Sequence, residues 1–192
     1  MMHEQLIKDI SIKHKMQKDD MELCKTLFHP VWSPKNKILE EEGKVPQHLY
    51  YIVSGFMRLF YYNDHGDEVT THLNCPHGFF TAFSDFTNQT KASVNVETVS
   101  ECQLLRITKR DYETLISESV FWKDYGMHVL QESVIYNEER SKDLATLSAE
   151  QRYLKLMKSH PDIIQHVPLQ YIASFLGIKP ESLSRIRRNL IN

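Results

Sequence analysis

The sequence predicts an α+β chain: a series of antiparallel strands forming a sandwich or barrel, then a long helix, then a basic helical end. Three features carry this expectation. Between positions 37 and 108 lie six short runs rich in Val, Ile, Thr, Tyr and Phe, punctuated by Gly43, Gly55, Gly66, Pro76 and Gly78. Residues 119–145 then run without proline for about seven helical turns. The stretch IASFLGIKPESLSRIRRNLIN follows, helical in pattern and broken by one glycine.

Taken in order, KDDMELCKTLF (18–28) places Met21, Leu23, Leu27 and Phe28 at helical spacing. KILEEEG, LYYIVSG, FMRLFYYND, EVTTHLN, SVNVETVS and CQLLRIT read as strands, at a spacing that favours antiparallel pairing over βαβ units. Thr108 is a candidate N-cap, with Asp111 three residues on. In the long helix Trp122, Val129 and Tyr136 recur every seven residues, with Tyr125, Gly126 and Ser133 beside them. That spacing predicts a seam where the helix meets a second copy of itself, with a core helix covered by a sheet as the alternative. Ser148 opens a further helix, with Gln151 completing a capping box.

Composition narrows the function. The 192 residues carry a net charge of −2 and are 41% hydrophobic, enough for a packed core. No apolar run reaches the length of a membrane span. The first residues, MMHEQLIKDISIKHKM, carry charges throughout and lack the apolar region of a secretory signal. Cys24, Cys75 and Cys102 are odd in number and far apart, neither a disulfide framework nor a metal cluster. A reduced, cytoplasmic protein is expected. The charge is unevenly spread: residues 149–192 hold seven Lys/Arg against three acids, so that end is +4 and the remainder −6. A basic module on an acidic body points to a polyanionic partner.

The C-terminal spacing fits a helix-turn-helix. With Leu169 as the first position, Ala173 falls fifth, Gly177 ninth, Leu183 fifteenth and Ile186 eighteenth. The fifth position lies where the helices cross and must be small. The ninth sits in the turn, where glycine tolerates positive φ, and Pro180 suits the first turn of the second helix. At 100° per residue Leu183, Ile186 and Leu190 share one side, with Glu181, Ser184, Arg185 and Arg188 on the other. Arg is suited to guanine O6/N7, Glu to cytosine N4, and further Arg and Ser to phosphates. Candidate DNA-contacting residues are therefore Gln170, Lys179, Glu181, Ser182, Ser184, Arg185, Arg187 and Arg188.

KNKILEEEGKVPQHLYYIVSGFMRLFYY and LGIKPESLSRIRR together resemble the Crp/Fnr family of bacterial transcription regulators, over nearly the whole chain. The resemblance implies three parts: an N-terminal antiparallel β jelly-roll of the cyclic-nucleotide-binding type, with a helix before it, over 1–118; a long dimerisation helix over 119–145; and a C-terminal helical helix-turn-helix domain over 146–192. It further implies double-stranded DNA as partner, a homodimer on a pseudo-palindromic operator, RNA polymerase as a further contact, and a small-molecule effector of unknown identity.

Departures from the family pattern refine these expectations. Cyclic-AMP-binding members carry a Gly-Glu pair and an Arg-Ser/Thr-Ala stretch. Here Thr81-Ala82 and Thr90-Lys91-Ala92 stand in those places, giving a degenerate pocket of Phe80, Thr81, Ala82, Thr90, Lys91, Ala92 and Ser93. Losing that carboxylate removes a charge-assisted hydrogen bond worth roughly 1.5–3 kcal/mol, so the expected effector is not cyclic AMP. The pocket is expected either to hold a small acid through Lys91 or to be filled by Phe79, Phe80, Phe83 and Phe86. Cys24 alone cannot hold an iron–sulfur cluster, and Cys75 and His77 in CPHG read as a core thiol and a turn residue rather than haem ligands. No cofactor is expected. The sequence continues into no β-hairpin wing, which resembles a compact subgroup, and Pro180 stands where Arg often precedes Glu181.

Two other classes compete. A metal-binding jelly-roll would want two His one residue apart plus a carboxylate, and His48, His65, His72 and His77 never stand so. No nucleophile–base pattern is recognisable, so the chain reads as a non-enzyme. A small-ligand sensor or protein-interaction module without sequence-specific DNA binding would leave the clustered arginines without a use.

Overall fold

The computed structural model describes residues 2–191. Two short helices, α1 (Met2–Ser11) and α2 (Lys18–Leu27), precede the strands β1 (His29–Ser33), β2 (Ile38–Glu40), β3 (His48–Ser54), β4 (Met57–Tyr62), β5 (Glu68–Asn74) and β6 (Phe79–Phe80). Helix α3 (Phe83–Asn88) interrupts them before β7 (Asn95–Thr98) and β8 (Cys102–Thr108). Helices α4 (Lys109–Glu118), α5 (Val120–Thr146), α6 (Ala149–Ser159), α7 (Pro161–His166), α8 (Leu169–Phe175) and α9 (Pro180–Ile191) complete the chain. The strands form two four-stranded sheets, β1-β8-β3-β6 and β2-β7-β4-β5, with antiparallel pairing throughout. The expected α+β jelly-roll, long helix and helical end are all present.

The middle strands of the first sheet are covered on both faces, which explains why β3 and β8 lack a clean alternation of apolar and polar residues. Tyr50, Ile52 and Leu104 point between the sheets, where they meet Met57, Leu59, Phe80 and Val96. Their neighbours Leu49, Tyr51, Leu105 and Ile107 point the other way, into a cluster with Leu6, Ile10, Cys24, Phe28, Leu115 and Trp122. Helices α1, α2, α4 and the start of α5 therefore cover that face.

Caps behave as their residue types dictate. Thr108 Oγ1 accepts from Asp111 N at 3.1 Å, and Ser148 with Gln151 forms a reciprocal capping box. Elements absent from the sequence reading were short or marginal. Strand β6 has two residues, and β1 contains Pro30, tolerated because β1 is an edge strand paired only with β8. Helix α1 hides a narrow stripe, Leu6 and Ile10, within a charged segment.

The face of α5 differs from expectation. Trp122 is 3% exposed, packs on Phe28 and donates from Nε1 to Asp20 O at 3.0 Å. Tyr125 packs against His14 and Phe79. Trp122 and Tyr125 thus belong to the chain's own core and are not free to form a seam. Val129 and Tyr136 follow them on the same helical face, and Ser133 on its flank. Two residues along an α-helix turn it by about 200°, and the far side is exposed at Val120 (76%), Met127 (53%) and Val134 (56%), with Ile135 beside them, while Ser133 and Tyr136 (38%) of the expected seam are exposed as well. A seven-residue repeat is present on both faces, so spacing alone could not say which one the body would cover.

A third cluster joins the second sheet to the C-terminal helices: Phe56, Leu73 and Val99 pack with Tyr153, Leu156, Ile172, Ala173, Phe175 and Leu183. Beside it Arg58 of β4, 1% exposed, pairs with Glu97 of β7 and Glu68 of β5. Its guanidinium lies 4.0 Å from the Phe60 ring centre on one side and 3.7 Å from that of Tyr171, in α8, on the other.

These contacts give two expectations. Trp122→Ala should lower the unfolding free energy by about 3–5 kcal/mol, as large aromatic deletions in a core do, whereas Met127→Ala should change it by less than about 0.5 kcal/mol as an exposed substitution. Chemical denaturation of the two variants at low protein concentration checks both.

Candidate nucleic-acid interface

The helix pair α8/α9 is joined by a turn that glycine makes possible. Helix α8 ends with Gly177 N donating to Ser174 O and Ile178 N to Ala173 O, both at 3.0 Å. This is the double closure in which the residue after the cap takes a left-handed conformation, and Gly177 has φ +70°. A Cβ there would meet Leu144 at an ordinary 3.7 Å. The glycine is thus demanded by its backbone angle and not by crowding. Ala173, at the crossing, is completely buried.

Two arginines cap the carbonyl end of α8. Arg140, from α5, donates through Nη2 to Phe175 O at 2.9 Å and lies over the Phe175 ring. Arg152, from α6, donates through Nε and Nη2 to Leu176 O, and through Nη1 to Leu147 O. Positive charge at a helix C-terminus is favourable electrostatically, so the turn is held where α5, α6 and α8 meet. On the other side Thr70 N donates to Ser174 Oγ at 2.8 Å, and Ser174 Oγ to Glu68 O.

Helix α9 presents two faces. Leu183 is completely buried and Ile186 half-buried against the third cluster, while Glu181, Ser184, Arg185 and Arg188 are exposed. Lys179 and Gln170 are exposed as well. Ser182 and Arg187, grouped with them in the sequence reading, are half-buried on the flanks and do not share the outward face. Leu190 is 39% exposed, so the inner face is less fully covered at that end than its pattern implied.

The residues expected of the degenerate pocket divide between core and surface. Phe80, Ala82 and Ala92 are buried in the core between the sheets, and Thr81 donates from Oγ1 to His48 O at 2.8 Å. Thr90, Lys91 and Ser93 are exposed on the loop. Phe79, Phe83 and Phe86 pack outward with the helical cluster instead, which leaves Phe80 as the ring of the four that points between the sheets. A residue absent from the sequence reading stands at this loop: the Asp85 carboxylate accepts from Thr90 Oγ1 at 2.9 Å and from Ser93 N at 3.4 Å. Its signal was an acid five residues before Thr90, legible only once α3 folds it back.

Cys75 and His77 diverge. Cys75 packs against the C-terminal cluster, and His77, at φ +73°, places Nδ1 2.7 Å from Asp9 Oδ2. Among the described residues no three His, Cys, Asp or Glu side chains gather as a metal site, and no helix is long and apolar enough to cross a membrane.

Residues 30–119 match the family of cyclic nucleotide-binding domains. Several solved structures share the fold over most of the chain. The c-di-GMP-responsive global regulator CLP of Xanthomonas campestris is 20% identical over 91% of each chain, with a TM-score of 0.71. FixK2 of Bradyrhizobium japonicum is 13% identical, with a TM-score of 0.73 over 85% of this chain and 84% of its own. The catabolite activator protein of Thermus thermophilus is 22% identical over 93% of this chain and 85% of its own, with a TM-score of 0.58. At these identities the likeness is one of fold. No curated protein sequence matches the chain.

Two measurements test the geometry. Gly177→Ala should cost about 1–2 kcal/mol through the left-handed backbone angle, read as a lower denaturation midpoint. His72, whose Nε2 lies 2.9 Å from Asn137 Oδ1 between β5 and α5, is held below the ordinary imidazole value by burial. A lowered folded-state pKa means that its contribution is fully present above the ordinary pKa of about 6.5 and is lost as pH falls below it. Stability should therefore drop in mildly acidic buffer, and His72→Gln should flatten that drop in a pH series of thermal melts.

Proposed function

We propose that the chain is a DNA-binding transcription regulator of the Crp/Fnr type that binds a pseudo-palindromic operator as a homodimer and does not answer to cyclic AMP. The observation that carries this reading is the two-faced α9. Its apolar side packs through Leu183 and Ile186 into the cluster that holds Ala173, while Glu181, Arg185 and Arg188 are exposed on a capped helix-turn-helix. Its first turns suit base edges in a major groove, and Arg188 and Lys179 suit flanking phosphates.

The exposed row Val120, Met127 and Val134 supports a dimer through α5, because a heptad-spaced apolar stripe on a long helix is covered by a second copy of the same stripe. Two copies would set their α9 helices on successive major grooves, about 34 Å apart. Ala82 offers no carboxylate to a ribose hydroxyl, Thr90 stands where the phosphate-binding Arg would, and the Asp85 carboxylate already sits on this loop, at the Thr90 hydroxyl and the Ser93 amide. A cyclic phosphate there would face a like charge.

DNA selection from a random library at two salt concentrations tests the whole reading. The expected result is enrichment of a two-fold-symmetric site, bound less tightly as salt rises. Arg185→Ala should relax preference at one base pair by about 1–3 kcal/mol. Arg188→Ala should weaken all DNA alike and flatten the salt slope. Val134→Glu should give monomers in sedimentation. A library without enrichment, or calorimetry showing saturable micromolar cyclic AMP, would sink the corresponding part.

A further inference from the structure

A cavity of about 210 Å³ lies where α5, α6 and the end of α8 meet. Its walls are apolar at Leu144, Leu156 and Phe175, and Arg140, Arg152 and Lys155 bring charge to it. The cavity's two acids, Glu139 and Asp143, are both engaged by Lys155, at 3.7 and 2.6 Å. Among the described residues neither arginine is paired with a carboxylate. Each spends donors on backbone carbonyls, Arg152 three and Arg140 one, and both arginines line the cavity. Burial holds the Arg140 guanidinium below its ordinary range, against the opposing effect of Tyr136 and with a smaller push in the same direction from the charge of Arg152. Half-buried positive charge that a carbonyl only partly satisfies is a ready partner for an anion.

From this we infer that the cavity is a binding site for a small monocarboxylate with an apolar body. The formal charge of the lining, three cations against two acids, suits one negative charge. The volume lies below the roughly 300–1,000 Å³ of drug-sized sites, so the body is a single ring or a short chain. The carboxylate would take Arg140 donors in competition with Phe175 O, and the apolar part would lie against Leu156 and Phe175.

The same arginines cap α8, which gives the site a consequence. An anion that draws Arg140 from Phe175 O loosens the hold of α5 on the α8–α9 turn, so the ligand and DNA would influence each other's affinity. That regulatory role rests on the DNA-binding reading above; the site itself does not. It would place the sensory input outside the sheets, where Phe80 and Ala82 already fill the space.

Calorimetry on the full chain without DNA tests the site. The probes are benzoate and hexanoate, with benzamide as the neutral counterpart of the ring acid. The expected result is saturable, one-to-one binding of at least one acid at millimolar concentration or below, with benzamide at least about tenfold weaker, the loss of one charge-assisted hydrogen bond. Arg140→Gln should weaken the acid by a similar factor. Ser159→Trp, an exposed substitution at the cavity edge that leaves both arginines in place, should abolish binding while melting like the parent. No saturable binding by either acid, equal binding of benzamide, or undiminished binding by Ser159→Trp would overturn the site. With a selected operator in hand, saturating acid should change DNA affinity by about fivefold or more in the parent and not in Ser159→Trp. Binding of the acid with unchanged DNA affinity would overturn the regulatory role and uphold the site.

Discussion

The guanidinium of Arg58 holds the second sheet and the C-terminal helices in one frame. Removing such a group from water costs roughly several kcal/mol per ion. Here Glu97 lies at hydrogen-bond distance from Nε, Glu68 from Nη2, and the rings of Phe60 and Tyr171 cover its two faces. These partners come from β4, β7, β5 and α8, so satisfying one buried charge requires three adjacent strands and the first helix of the C-terminal pair to be in register. Glu68 is partly exposed and its bridge screened by water. Glu97 and the two rings supply the dehydrated part of the network.

With α8 placed by Tyr171 and Ser174, everything beyond it is positioned by capping. Arg140 and Arg152 reach the carbonyl end of α8 from α5 and α6, and Gly177 turns the chain into α9. The path from the sheets to α9 thus runs through hydrogen bonds at Ser174, Phe175 and Leu176 and the turn at Gly177, beside the cluster that holds Leu183. Packed elements of this kind shift between discrete arrangements and do not deform smoothly.

The first sheet shows how two-sided burial reshapes a familiar plan. Covering its outer face with α1, α2 and α4 needs consecutive apolar residues in the middle of β3 (Leu49–Ile52) and β8 (Leu104, Leu105), and it recruits Phe79, Phe83 and Phe86 outward. Phe80, Ala82 and Ala92 close the space between the sheets. The loop after α3 is left with an internal anion, Asp85, on its hydroxyl and amide donors.

The sequence by itself determined what depends on neighbours a few residues away. Six of the strands, the caps at Thr108 and Ser148, the length of α5, the glycine turn at Gly177 and the polar and apolar sides of α9 all follow from local periodicity and backbone angles. Tertiary structure decided which of two heptad faces of α5 is buried, because Trp122 and Val120 obey the same spacing and only α1, α2 and the sheet distinguish them. It likewise decided the pairing of Arg58 with residues 10, 39 and 113 positions away, the turning outward of three phenylalanines, and the meeting of Arg140 with Arg152 at one cavity. Those outcomes depend on contacts between distant segments, and no local pattern of residues encodes them.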